Sequence, residues 1–319
     1  MPEPRIGVVG ATGVVGKVTL ELLGERGFAH VRAFASARSA GRRVPYAGGE
    51  LEVEEATAEV LAAGDLDLCF FSVGTSTSQE LVPHAERGGA LCIDKSDAYR
   101  LAEGVPLVVA GVNDGALVRS FGRIVANPNC SAIQLSCVLK PLHDAAGIAR
   151  VHLATYQAAS GAGDAAVERL EGTVPGEADL GMDWDLEGDE FSEEYKLRAE
   201  TRKILGLPEL QIHATCVRVP VRVGHAQAVW VETERPLSPD GARDSSNSAS
   251  YQASGGKPAF FKSCSTASST RLCTRIRRIQ AAVASVDGLR FIIQSVSVTD
   301  QCTALNAAAS ILTISCRCI

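Results

Sequence analysis

No apolar run in this chain approaches the roughly 20 residues needed to span a bilayer. The amino end passes into an apolar strand without the basic stretch and apolar h-region of a signal peptide, so a cytoplasmic location is expected. Positive charge is not in excess: the formal net charge is −6, which argues against nucleic acid as the main partner. Cys-x-x-Cys and His-x-x-x-His spacings are missing, and Cys316 and Cys318 stand too close and too isolated for zinc, so no metal site is expected. The ten cysteines lack the spacing of a small secreted framework, and a reducing compartment keeps them as thiols. What is present is a chain of 319 residues, 46% hydrophobic and 21% charged, long enough for two domains with a core each.

The stretch richest in chemistry is Asn127-Pro128-Asn129-Cys130-Ser131-Ala132-Ile133-Gln134. Upstream, Gly122 to Ala126 reads as a buried strand; downstream, Ile133, Cys137, Val138 and Leu142 share one face of an amphipathic helix. Asn127 or Asn129 suits the N-cap, because a short amide accepts the orphan N–H bonds of a first turn. Cys130 then falls in that turn, where unpaired N–H groups and the helix dipole favour a thiolate. A thiolate there is a nucleophile for an acyl or carbonyl substrate. The plainer reading of the same residue is a small buried hydrophobe.

From the amino end, Arg5 to Val9 is an apolar strand, followed by Gly10-Ala11-Thr12-Gly13-Val14-Val15-Gly16 and a helix to about Leu23. Strand, glycine turn and helix form a dinucleotide-binding fingerprint: the glycines permit close backbone approach, and the helix start faces the diphosphate. The next strand, Val31 to Ala35, ends in Ser36-Ala37-Arg38-Ser39 rather than in a carboxylate for a ribose hydroxyl. Ser36, Arg38 and Ser39, with Arg42 and Arg43 behind, favour a 2′-phosphate and so NADP over NAD. Strand Leu66 to Ser72 runs into Gly74-Thr75-Ser76-Thr77-Ser78, then a helix from about Gln79 to Gly88 and a strand from Ala90 to Asp94. This alternation gives a parallel, doubly wound sheet, with Arg100 on a loop at the carboxyl ends of its strands.

Beyond Cys130 the pattern changes. Arg150 to Tyr156 is a strand leading into Gln157-Ala158-Ala159-Ser160-Gly161-Ala162-Gly163 and a helix. Asp179 to Glu194 reads as an acidic loop, mostly solvated, and Glu193 and Lys196 lie one turn apart on a helix, an ion-pair spacing. His213 to Val223 is strand-like, with Arg218 on one face and His225 at the strand end. An inward arginine needs an anion, and a lone histidine is usually structural unless its neighbours say otherwise.

These blocks together resemble aspartate-β-semialdehyde dehydrogenases. GATGVVG from Gly10, NPNCSAIQ from Asn127, TYQAASGAG from Thr155, EEYKLRAETRKIL from Glu193 and CVRVPVRVGHAQAVWVE from Cys216 fall in family order across roughly residues 5 to 240. The resemblance implies an α/β fold: a Rossmann-type NADP-binding domain over residues 1–126, and an α+β catalytic and dimerisation domain over 127–299. A helix near 300–315 would return to the first domain. It implies reversible reductive dephosphorylation of L-aspartyl-4-phosphate to L-aspartate-4-semialdehyde, on the route to lysine, methionine and threonine, by a homodimer or homotetramer. By the same resemblance Cys130 carries a thioacyl intermediate, His225 is the acid/base and Gln157 orients the reacting groups. Arg218 and Glu193 hold the substrate's carboxylate and amino ends, Lys196 and Arg100 bind inorganic phosphate or the phosphoryl group, and Asn129 and Ser160 line the substrate. Gly10, Ala11, Thr12, Gly13, Val14, Val15, Ser36, Arg38, Ser39, Gly74, Gly161, Ala162 and Asn306 would contact NADP(H).

Two departures stand out. Asp94-Lys95-Ser96-Asp97-Ala98-Tyr99-Arg100 resembles the family's DNSSAFR, with Lys95 and Asp97 in place of Asn and Ser. From about Asp244 the chain turns Ser-rich and loses clear periodicity, five of its ten cysteines fall at or beyond Cys264, and resemblance returns only in fragments such as Ala304-Leu305-Asn306-Ala307. Such a tail points to a displaced reading frame or a diverged carboxyl terminus. The competing readings are a related acyl-phosphate reductase, such as one acting on N-acetyl-glutamyl phosphate, and a catalytically impaired paralogue that keeps the dinucleotide fold.

Overall fold

A computed structural model describes residues 3–118, 122–176, 180–182, 184–254, 283–286, 289–292 and 310–316. The chain divides into two compact units, Met1–Val108 with Gly115–Pro128, and Val109–Asp114 with Asn129–Ile319.

In the first unit β1 (Ile6–Val9) turns into α1 (Val14–Glu25) and β2 (Val31–Ala35), followed by the hairpin of β3 (Arg43–Tyr46) and β4 (Gly49–Glu55). The single turn α2 (Ala58–Leu61), β5 (Leu68–Phe71), α3 (Thr75–Arg87), β6 (Leu91–Asp94), α4 (Gly115–Val118) and β7 (Ile124–Ala126) complete it. The strand order is β3-β4-β2-β1-β5-β6-β7, parallel throughout except where β3 meets β4. Strands β1 and β5 are buried at every position, which is why they read as unbroken apolar runs rather than as alternation. Strand order reverses between β1 and β5, and in doubly wound sheets ligands bind outside the strand ends at that reversal.

The second unit begins with α5 (Cys130–Ala146), then β8 (Ile148–Gln157), α6 (Asp164–Leu170), the small hairpin β9 (Leu186–Glu187) and β10 (Glu190–Phe191), and α7 (Ser192–Leu205). Next come β11 (Gln211–Arg218), β12 (His225–Thr233), α8 (Pro239–Ser254), the paired β13 (Val283–Val286) and β14 (Leu289–Ile292), and β15 (Ser310–Cys316). Its main sheet runs β11-β8-β12-β15, with β8 and β11 parallel and β12 antiparallel to both neighbours. Helix α5 packs on this sheet, on α7 and on α8, so its residues are buried almost all round. On the opposite sheet face His152 stacks on His213 with ring centroids 4.9 Å apart, and Trp230 lies 5.1 Å from His152.

The structure corrects three expectations. The strand expected over His213 to Val223 stops at Arg218, because Pro220 has no N–H for the ladder, and His225 opens β12 instead of ending a strand. The segment from Asp179 to Glu194 is not simply a solvated loop, since it holds a hairpin and then turns into α7 with Glu193 and Glu194 buried. Of the helix expected near 300–315, residues 310–316 form β15, whose SILTISC sequence suits an added strand beside β12. Residues 300–309, Asn306 among them, lie outside the described residues.

Candidate active site

In the first unit the turn after β1 is shaped by what glycine omits. Gly10 has φ +85°, and a Cβ there would lie 2.2 Å from the Ser72 carbonyl oxygen. A Cβ on Gly16 would lie 2.0 Å from the Gly10 carbonyl oxygen, so helix α1 can approach the turn only as glycine. Gly13 and Gly74 are the N-caps of α1 and α3, and neither helix start receives a side-chain cap. Ala11, Thr12, Val14 and Val15 complete the turn at the start of α1, beside the strand reversal. Exposed Ser36 and Arg38 and half-buried Ser39 follow β2 in a short 3-10 turn at the same edge of the sheet. This cradle fits a dinucleotide, with bare backbone N–H groups for a diphosphate and a hydroxyl-and-guanidinium edge for a phosphomonoester. Arg100 is buried, donates to the Asn127 and Lys95 carbonyls (3.0 and 2.8 Å) and pairs with Asp97 at 2.8 Å.

In the second unit the site is made of side chains. Asn129, not Asn127, caps α5: its Oδ1 accepts from Ser131 N–H (2.8 Å) and Ala132 N–H (3.4 Å). Those two amides are therefore occupied by the cap and do not form the oxyanion pocket that an open helix start offers. The Asn129 side-chain amide donates to Glu193 Oε1 at 2.9 Å and its backbone N–H donates to Glu200 Oε2 at 2.6 Å. Gln157 donates to the same Glu193 oxygen at 3.0 Å. Cys130, half-buried, thus follows a residue gripped by two buried carboxylates of α7.

His225 is fully buried and held by the Ala158 peptide, whose N–H donates to Nδ1 at 3.0 Å. The carbonyl of that same residue accepts from Arg218 Nη1 at 3.0 Å, so Ala158 ties the imidazole to the guanidinium. With Nδ1 accepting, the ring proton of the neutral form sits on Nε2, which is buried and makes no hydrogen bond among the described residues, with Cys130 near enough for its charge to act on the ring. Burial pulls the His225 pKa down, but the proximity of Cys130 more than offsets this. Arg218 lowers it further, Glu193 raises it, and the result is a pKa above the ordinary histidine value.

A Cβ on Gly161 would meet the His225 ring at 2.9 Å and Arg218 Nη1 at 3.1 Å, so this glycine packs against the acid/base and anion-binding candidates. Ala162 shares its 3-10 turn, and Ser160, in that turn too, has a buried hydroxyl without a partner. Lys196 lies one turn beyond Glu193 on α7. The second unit therefore brings together Cys130, His225, Gln157, Asn129, Glu193, Arg218 and Gly161 from five stretches of sequence.

Three contributors escape a reading of the sequence. Glu200 is one, although its spacing of seven from Glu193 puts both carboxylates on one face of α7. Trp184, whose ring lies 4.8 Å from the Arg218 guanidinium, sits in a stretch with no periodicity at all. Ala158 acts only through its peptide group, which no residue type signals.

A nucleotide-binding sheet joined to a unit with a helix-start cysteine and a histidine partner defines a semialdehyde-dehydrogenase-type oxidoreductase. Family models agree: residues 5–120 match the semialdehyde dehydrogenase NAD binding domain, and 139–183 and 183–257 match the semialdehyde dehydrogenase dimerisation domain. The chain is 40% identical over 273 residues to the aspartate-semialdehyde dehydrogenase of Corynebacterium glutamicum, covering 75% of this chain and 79% of that protein. It is 38% identical over 258 residues to the enzyme of the same name from Bacillus subtilis, covering 72% and 74%. The crystal structure of aspartate semialdehyde dehydrogenase II from Vibrio cholerae complexed with ASA superposes with a TM-score of 0.77 at 28% identity, covering 99% of this chain and 94% of that one. The Candida albicans enzyme with NADP gives 0.61 at 26% identity and 76% coverage of each chain. The chain belongs to the aspartate-semialdehyde dehydrogenase family.

Proposed function

We propose that the chain catalyses the reversible reductive dephosphorylation of L-aspartyl-4-phosphate to L-aspartate-4-semialdehyde with NADP(H), through a thioester on Cys130. The Cys130 sulfur attacks the acyl carbonyl, the carbon–oxygen bond to phosphate breaks, and inorganic phosphate leaves. When bound, the dihydronicotinamide supplies the hydride that reduces the thioester. His225 exchanges a proton with the sulfur and then with the alkoxide, which collapses to the aldehyde and returns the electron pair to sulfur. A positioned acid/base of this kind contributes about 10²–10⁴-fold. Because the Ser131 and Ala132 amides are taken by the cap, His225 carries more of the oxyanion stabilisation than it would beside an open helix start.

Arg218 suits the substrate's carboxylate, since a fixed guanidinium matches its two oxygens. Glu193 suits the ammonium, with Gln157, Asn129 and Ser160 fixing the acyl group, and Lys196 and Arg100 are the cations for phosphate. Ser36, Arg38 and Ser39 favour the 2′-phosphate of NADP over the bare ribose of NAD. Association as a homodimer or homotetramer, in a cytoplasmic setting, belongs to the same reading.

The observation that carries the reading is the Cys130–His225 pair, with the ring tied through Ala158 to Arg218. The test is phosphate-dependent reduction of NADP⁺ by L-aspartate-4-semialdehyde, beside Cys130→Ala. Activity is expected in the parent chain and a loss of about 10⁴-fold or more in the variant. Activity that survives without the thiol, or that does not need phosphate, sinks the thioester reading.

A further inference from the structure

Lys95 stands at the carboxyl end of β6, where its N–H donates to the Phe71 carbonyl at 3.0 Å. Its side chain does not join the phosphate candidates around Arg100. It runs to α1, where Nζ donates to Thr19 Oγ1 at 2.8 Å and lies 5.9 Å from the centre of the Phe70 ring. Thr19 in turn donates its hydroxyl hydrogen to the Val15 carbonyl at 2.8 Å, in the first turn of the helix.

Among the described residues no carboxylate compensates this ammonium. Asp94, the adjacent residue, gives its oxygens to Ser78 and Ser96. The charged residues of α1 (Lys17, Glu21 and Glu25) are exposed, and β1 and β5 carry none. Asp97 is paired with Arg100, whose guanidinium touches Lys95 only at its backbone carbonyl. Burial alone accordingly lowers the Lys95 pKa to about 8. A half-buried cation held by one hydroxyl is costly unless an anion comes to it. By helical rise, Thr19 stands about 7 Å along α1 from the first residues that face a dinucleotide diphosphate.

We propose that Lys95 is a cofactor-binding residue of this chain, an uncompensated cation behind the start of α1 that is neutralised by the diphosphate of the bound dinucleotide. The inference rests on the dinucleotide reading above and adds to it a residue outside the glycine turn. It also separates Lys95 from the phosphate of the acyl substrate, which its loop position alone suggests.

The sign of the consequences distinguishes a ligand-facing cation from a structural one. A lysine that holds α1 to β6 makes the chain less stable when removed. A lysine waiting for an anion makes the ligand-free chain more stable when removed, while the dinucleotide binds less tightly. With NADPH as the probe, Lys95→Met is expected to raise the dissociation constant about tenfold and to raise the melting temperature of the ligand-free protein at pH 7. Calorimetric titration of the parent chain at pH 8.5, in two buffers of different ionisation enthalpy, is expected to show net proton uptake, because the diphosphate draws the lysine back to its charged form. The Lys95→Met chain is expected to lose that uptake. Unchanged affinity, or binding to the parent chain without proton uptake, overturns the assignment even if the variant does not fold. A parent chain that binds no NADPH at all refutes the dinucleotide reading itself, a separate failure.

Discussion

In the first unit the groups proposed to face a ligand are chiefly backbone: bare helix starts at Gly13 and Gly74, and a turn that Gly10 and Gly16 keep free of Cβ atoms. In the second they are side chains, brought from residues 129–130, 157–161, 193–200, 218 and 225 and interlocked by hydrogen bonds between 2.6 and 3.0 Å. A backbone site depends on local conformation, so an added atom there acts first on folding. A side-chain site depends on long-range packing, so an added atom acts first on the alignment of the reacting groups. Two alanine substitutions at glycine separate these modes.

The largest effect is expected from Gly10→Ala. Its Cβ meets a carbonyl oxygen that cannot swing away, at a φ that L-residues rarely adopt. Strain and clash together are expected to cost roughly 3 kcal/mol or more of stability, read by urea denaturation, with nucleotide binding lost alongside. Gly161→Ala is expected to leave stability nearly unchanged. The nearest atoms its Cβ meets are those of the His225 ring and the tip of Arg218, and moving these by a few tenths of an ångström costs activity, on the order of 10²-fold in kcat. If Gly161→Ala melts the protein while Gly10→Ala leaves it intact, the contrast between the two units is wrong.

The same contrast explains what the sequence discloses. Glycine spacing after an apolar strand announces a backbone cradle directly, because the geometry is local and only glycine satisfies it. The cap on α5 is nearly as legible, though both Asn127 and Asn129 suit it until Asn129 is seen to accept the Ser131 and Ala132 amides. By contrast, the partnership of His225 with Cys130 joins residues 95 apart in sequence and becomes visible only through family resemblance or through the fold. Helix α3 begins at Thr75 rather than near Gln79, since Gly74 caps a Thr-Ser-Thr-Ser stretch whose propensities alone do not favour helix. The β3–β4 hairpin escapes periodicity because GELEVEE is mostly exposed and carries four glutamates. The Ser-rich start of the tail is helical as far as Ser254, held by the packing of α8 on α5 rather than by propensity.

A smaller effect sharpens the side-chain half of the comparison. Asn129→Ala removes the cap of α5, which by itself is worth about 1 kcal/mol. It also removes the amide that Glu193 accepts, while the backbone N–H that Glu200 accepts stays in place. Stability is therefore expected to fall by little more than the cap, and kcat by about tenfold through looser placement of Cys130. Equal losses in Asn129→Ala and in Asn129→Asp, which keeps the capping oxygen, would show that the tie to Glu193 matters more than the cap.

The smallest effect concerns one proton. Two influences of opposite sign act on His225: the Ala158 N–H at Nδ1 favours the neutral ring, and the Cys130 sulfur favours the charged one. The net direction is upward, so the folded state prefers the imidazolium more than the unfolded chain does. The stability this contributes is present below the ordinary histidine value of about 6.5 and is lost as pH rises through the higher folded value. Removing the sulfur removes the upward influence and leaves burial and Arg218 pulling down against Glu193 alone. The His225 Cε1 proton signal is therefore expected to titrate above 6.5 in the parent chain and distinctly lower in Cys130→Ala. The stability difference between the two proteins should shrink as pH rises across the same interval. An unchanged midpoint would mean that sulfur and imidazole are uncoupled in the resting protein, and that substrate must bring the pair together.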